Sequence, residues 1–96
     1  MGNSLGLIET IGLTGAVAAA DQMLKSANVS LVGEYIYSGS GLITVMVQGE
    51  IGAVRAAVEA GEQAAGKLTT IKSVHVIPRP HADTERVFLA KKVKEV

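Results

Sequence analysis

Ninety-six residues, 48% of them hydrophobic, are enough for one domain around one core. Nine Lys and Arg balance nine Asp and Glu, and there is no Trp, one Phe and two Tyr, so neither a net field for polyanions nor an aromatic platform for stacked bases argues for nucleic-acid binding. The lack of cysteine removes disulfides and thiolate metal sites, no apolar run approaches the roughly 20 residues of a membrane span, and Met1 to Thr10 lacks a secretory signal's basic start and apolar core, which predicts an untargeted, soluble chain.

Ser4 to Thr10, with Leu5, Leu7 and Ile8, predicts a first strand that ends at the turn residue Gly12. From Leu13 the period changes. Leu13, Ala16, Val17, Ala20, Leu24 and Ala27 recur at three- and four-residue spacing, so they are expected to form the buried stripe of a helix. Thr14 is the candidate N-cap, and Asp21 and Lys25 stand at the i,i+4 spacing of a favourable ion pair. Val29 to Ile36 and Leu42 to Gln48 are two strand-like runs joined by Tyr37-Ser38-Gly39-Ser40-Gly41, a hairpin expected at the centre of the sheet. A second helix follows Gly49, with an apolar stripe of Ile51, Val54, Ala57, Val58, Gly61 and Ala65, and ends near Gly66 and Lys67. Ile71 to Ile77 is the last strand, stopped by Pro78 and Pro80. Asp83 to Leu89 is expected to form a short helix before a charged tail.

The order strand, helix, strand, strand, helix, strand is the split βαβ pattern. It predicts an α+β, ferredoxin-like domain (βαββαβ): an antiparallel four-stranded sheet with two helices on one face, plus the short C-terminal helix. The whole of 1–96 is expected to be a single domain, with its core at about 4–81 and an extension at 82–96. Helices on one face leave the other face and both sheet edges to be covered, and copies of the same chain are the natural cover. A formal charge of zero does little to keep such copies apart.

Catalytic chemistry is thin. Gly39-Ser40-Gly41 lacks a third glycine and leads into a strand instead of the helix N-terminus that grips a phosphate. His75 and His81 are separated by two prolines and have only Asp83 and Glu85 nearby, so ordinary surface histidines account for them and no metal is expected. No Ser-His-Asp spacing supports a nucleophile, and Glu9 stands alone on its strand without a second carboxylate to split its pKa from. The chain reads as no enzyme, with no cofactor. Two features remain: Pro78-Arg79-Pro80-His81, which holds an arginine on a stiffened extended segment, and Ser38 to Gly41, which offers backbone and hydroxyls with almost no side-chain bulk.

Four stretches carry a resemblance: Gly6-Leu7-Ile8-Glu9-Thr10; Asp21-Gln22-Met23-Leu24-Lys25-Ser26-Ala27-Asn28-Val29; Gly41-Leu42-Ile43-Thr44-Val45-Met46-Val47-Gln48-Gly49-Glu50-Ile51; and Ser73-Val74-His75-Val76-Ile77-Pro78-Arg79-Pro80-His81. In order and spacing they resemble the single-domain hexameric shell proteins of bacterial microcompartments, the BMC-domain proteins of carboxysomes and of ethanolamine- and propanediol-type compartments. The resemblance implies a cyclic hexamer that tiles edge to edge into facets, in the bacterial cytoplasm, around encapsulated enzymes and beside other shell proteins. It implies that Lys25, Asn28 and Arg79, with Pro80 and His81, lie at the hexamer edge, and that Ser38, Gly39, Ser40 and Gly41 line a pore for small polar metabolites. The segment from Gly33 to Gly41 is one residue longer than is usual in the family, so Ser38, Gly39 and Ser40 all stand as alternatives for the narrowest point. A reading from another class is a small-molecule-binding regulatory module of the same fold, since fold does not fix function; no second domain of the kind that usually accompanies such a module is visible in the sequence.

Overall fold

A computed structural model describes residues 3–33 and 35–78. Strand β1 (Ser4–Ile11) runs into helix α1 (Leu13–Ser26), followed by two short strands, β2 (Val29–Leu31) and β3 (Ile36–Tyr37). A 3-10 turn at Gly39–Gly41 opens into β4 (Leu42–Gly49), helix α2 (Ile51–Gly66) and β5 (Ile71–Ile77). Pairing is antiparallel throughout, in the order β2-β4-β1-β5, and β3 pairs with the early residues of β4 while β2 pairs with its late ones. Residues 79–96, including the helix expected at Asp83 to Leu89, lie outside the described residues.

Side chains alternate across a strand, so each strand divides its residues between two environments. Ile8 stands opposite Val45 on one side and Val74 on the other, a row that faces the helices. Onto it pack Ala16, Ala19, Ala20 and Met23 of α1 and Val54, Ala57, Val58 and Ala65 of α2. The helices touch each other as well as the sheet because their contact surfaces are made of small residues. Gly61 marks the tightest point: a Cβ there would lie 2.7 Å from Met23 Cγ and 2.9 Å from Ile8 Cδ1, nearer than real carbons approach.

Four expectations are corrected. The hairpin does not occupy the centre of the sheet: β4 is interior, but β2 and β3 form an edge, and β1 takes the place between β4 and β5. Its first arm is not one strand from Val29 to Ile36, so among the described residues the sheet has five strand segments instead of four. The Val32 N–H still donates to Met46 O at 2.8 Å, but Gly33, at φ 58°, turns the chain off the ladder before β3 rejoins it. That detour gives the face away from the helices some cover of its own, where Val32 closes over Leu5 and Met46, with Leu7, Ile36 and Ile77 packed around them.

Helix α1 is rotated from the expected stripe. Gly15, Ala16, Ala19, Ala20 and Met23 face inward, while Leu13 (49% exposed), Val17 (45%) and Leu24 (44%) look outward. Four of these five inward positions are Gly or Ala, because a Cβ at Gly15 would already collide with Thr69 Cγ2, and Met23 fills the space left opposite Gly61. Thr14 is not the N-cap either. Gly12 (φ 88°, ψ 159°) holds that position, since only its left-handed backbone turns β1 directly into the helix; Thr10 Oγ1 donates to Gly12 O at 3.1 Å and braces the corner.

Candidate functional site

The turn that joins β3 to β4 is built almost entirely from backbone. Ser38 is extended, and its N–H donates to Leu42 O at 2.9 Å, which closes the loop. Its hydroxyl makes only long contacts, 3.4 Å to the carbonyls of Gly39 and Leu42. Ser40 (φ 77°, ψ 10°) and Gly41 (φ 77°) both occupy the left-handed region, costly for a serine and free for a glycine. Ser38, Gly39, Ser40 and Gly41 are all exposed. Tyr37, 62% exposed, stands immediately before them.

Gly39 contrasts with Gly61 and Gly15, whose Cβ positions are filled by neighbouring atoms. Its φ is not in the left-handed region, and a Cβ built on it would meet nothing within 4 Å. Among the described residues no atom and no backbone angle requires glycine there.

The turn is anchored to the start of α1, because the Gly12 N–H donates to Gly41 O at 2.9 Å. No sequence pattern announces this bond, as both partners are main chain. It sets the geometry of the site, since α1 then runs from the turn to its own C-terminal end, where Lys25 sits 13 residues after Gly12, about 20 Å away at the helical rise. There the Lys25 Nζ lies 2.9 Å from Asp21 Oδ2, with the two side chains 69% and 57% exposed. Beside them Gln22 Nε2 donates to Ser26 Oγ at 2.9 Å, and Asn28 follows on the surface just past the helix. Lys25 and Asn28 thus share one end of the molecule, opposite the end that holds Ser38 to Gly41. Arg79, Pro80 and His81 lie outside the described residues.

The remaining candidates for chemistry stay apart. Glu9 is half-buried on the sheet face away from the helices, where it accepts a hydrogen bond from Ser73 Oγ at 3.0 Å. His75, on the same face, is exposed and pairs across strands with Leu7. Among the described residues no three His, Asp, Glu or Cys side chains gather as a metal site, and no helix is long and apolar enough to cross a membrane.

A family model described as the BMC domain matches residues 4–80. The chain is 58% identical over 85 residues to the bacterial microcompartment shell protein PduA of Citrobacter freundii, covering 88% of this chain and 90% of the relative. It is 51% identical over 85 residues to the bacterial microcompartment shell protein EutM of Escherichia coli, with 88% and 87% covered. The carboxysome shell protein CsoS1 of Prochlorococcus marinus is 48% identical over 86 residues, with 88% and 82% covered. Among solved structures, a microcompartment protein from Desulfitobacterium hafniense superposes with a TM-score of 0.79 at 30% identity over 92% of this chain, which spans about half (47%) of that longer chain.

Proposed function

The chain belongs to the BMC-domain family and has the structural role of a microcompartment shell protein, not of an enzyme; from that premise we propose that it acts as a hexameric tile whose pore is made by Ser38 to Gly41. Six copies close around an axis with these turns innermost. Gly39 carries this reading: it stands in an exposed turn with no described residue near its Cβ position, and a turn of such small residues is what six copies meeting at one axis require. The course of α1 supports it, since a helix anchored at the turn by the Gly12–Gly41 bond puts Lys25 and Asn28 about 20 Å outward, at a rim.

At the rim, Lys25 and Asn28, together with Arg79, Pro80 and His81, make the lateral contacts that join hexamers into a facet. Each contact is weak, and a lattice multiplies it. At the hub, a ring of amides and serine hydroxyls passes small polar solutes that can replace water's hydrogen bonds and hinders apolar ones that cannot. The ferredoxin-like description is part of the same proposal, supported by the strand order. So is the division of the chain into one BMC unit over residues 4–81 with an extension at 82–96. The tile works in the shell of a compartment within the bacterial cytoplasm, beside other shell proteins and around encapsulated enzymes.

The test is Gly39→Leu in the full chain. A Cβ at this exposed position meets no described residue, so the circular dichroism should be unchanged, while flux of a small polar solute through assembled shells falls sharply. Undiminished flux through intact shells would remove the turn from the pore. Lys25→Asp should leave hexamers but no sheets by electron microscopy, and persistent sheets would remove Lys25 from the rim.

A further inference from the structure

Three large apolar side chains, Leu13, Tyr37 and Leu68, are exposed at the end of the fold that holds the turn. Leu13 follows Gly12, whose N–H is bonded to Gly41 O; Tyr37 precedes Ser38; and Leu68 precedes Thr69 and Thr70, which are bonded to Ile11. They do not form one patch. Helix α1 lies toward β2 and α2 toward β5, so the molecule has two flanks. On α1, Gly15 lies against Thr69 and the Ala19 carbonyl lies against Gly61 of α2. A helix turns by about 100° per residue, so Leu13 and Val17, each two residues before one of these, point to the flank away from α2. Tyr37 shares that flank: β3 pairs with the outer side of β4, and Tyr37 stands opposite Ile43, on the sheet face that carries the helices. Leu68 is on the other flank, in the connection from α2 to β5, the strand at the opposite edge of the sheet.

A closed ring of more than two identical copies joins one flank of each chain to the opposite flank of the next, so it needs two different apolar surfaces on the same chain. Tyr37 (62% exposed) and Leu68 (60%) supply one each. Because α1 runs away from the turn, Leu13 and Val17 lie along a radius when the turns meet at an axis, the direction in which a wedge-shaped subunit faces its neighbour. We infer that, in the ring proposed above, Tyr37 with Leu13 and Val17 on one copy packs against Leu68 on the next. The cover of each flank is a second copy of this chain, and burial of these side chains holds the ring closed beside the pore. Tyr37 directly precedes Ser38, so the same contact sets the tilt of the pore turn, and each turn is seated by two chains. This inference deepens the hexamer reading and rests on it; the experiment separates the two.

The full chain is compared with Tyr37→Asp, Leu68→Lys and the double variant, by native mass spectrometry and circular dichroism over a dilution series. Both side chains are exposed in the single chain, so the dichroism should match the parent in each. Each single change sets a charge against an apolar surface and should need at least about tenfold more protein to remain a ring. Within one chain the two positions are three strand spacings apart, about 14 Å, too far to pair. The double variant should return to within about threefold of the parent, since every joint then sets the new carboxylate against the new ammonium. An equal mixture of the two single variants should also recover, because alternating copies restore the parent contact at every second joint and pair the new charges at the others; a contact between like flanks gives no such rescue. Single variants that keep the parent's ring at every dilution, or a defect that the double variant or the mixture fails to relieve, overturn this contact and leave the hexamer standing. A parent that forms no ring removes the hexamer, and this inference with it.

Discussion

Gly61 and Gly39 are the same residue in opposite circumstances. At Gly61 a single added carbon would collide with Met23 and Ile8, so the interior of one chain accounts for the glycine. At Gly39 the same carbon would meet open space, and the backbone asks for nothing special. One glycine belongs to the fold, and the other, on the proposed reading, to the ring the fold is built into. The difference separates two kinds of constraint that a sequence prints with the same letter. Around Gly61 substitutions should be felt as lost stability; around Gly39 they should be felt only when copies are together.

The contrast is broken most severely in the α1–α2 contact. Met23→Ala removes a fully buried side chain from the surface that faces Gly61 and should cost about 2–5 kcal/mol in chemical unfolding, whereas Leu24→Gln, one residue along and exposed, should change stability by less than about 0.5 kcal/mol. Equal costs would return α1 to the orientation expected from its larger apolar residues. Next, Gly61→Val forces a branched side chain into a space already filled and should cost about 1–3 kcal/mol, read as a drop in melting temperature. Ser40 lies between the two cases. Its left-handed backbone is costly for serine, so Ser40→Gly should raise thermal stability by up to about 1 kcal/mol while leaving the turn's course intact; a loss would mean that the hydroxyl holds the turn together. The smallest effect is expected at Thr14→Ala, which should stay within about 0.5 kcal/mol in the same melts, because Gly12 and not Thr14 sits at the cap.

Much of this fold was readable from the chain because apolar runs and turn residues alternate cleanly. β1, β4, β5 and α2 lie within a residue or two of where the pattern puts them. Helix α1 misleads because its sequence is rich in Ala, and when the interior prefers small residues, Leu13, Val17 and Leu24 stop being markers of the inside. The break between β2 and β3 depends on one left-handed glycine, Gly33, whose φ is a matter of tertiary placement and not of local spacing. The turn at Ser38 to Gly41 was visible as a gap in side-chain bulk. Its tie to Gly12 was not, since a hydrogen bond between two main chains leaves no mark in residue type. The ion pair of Asp21 with Lys25 sits where its spacing puts it.

The most direct test uses the fact that the chain contains no cysteine, so a single thiol introduced by Gly39→Cys is unique. Treated in its assembled state with a short reagent that bridges two thiols, this variant should give covalently linked chains within one ring, while a matched Glu59→Cys, exposed on α2, should give none. Failure of Gly39→Cys to link in a ring shown to be intact by native mass measurement would mean that the turns do not converge, and would contradict the account.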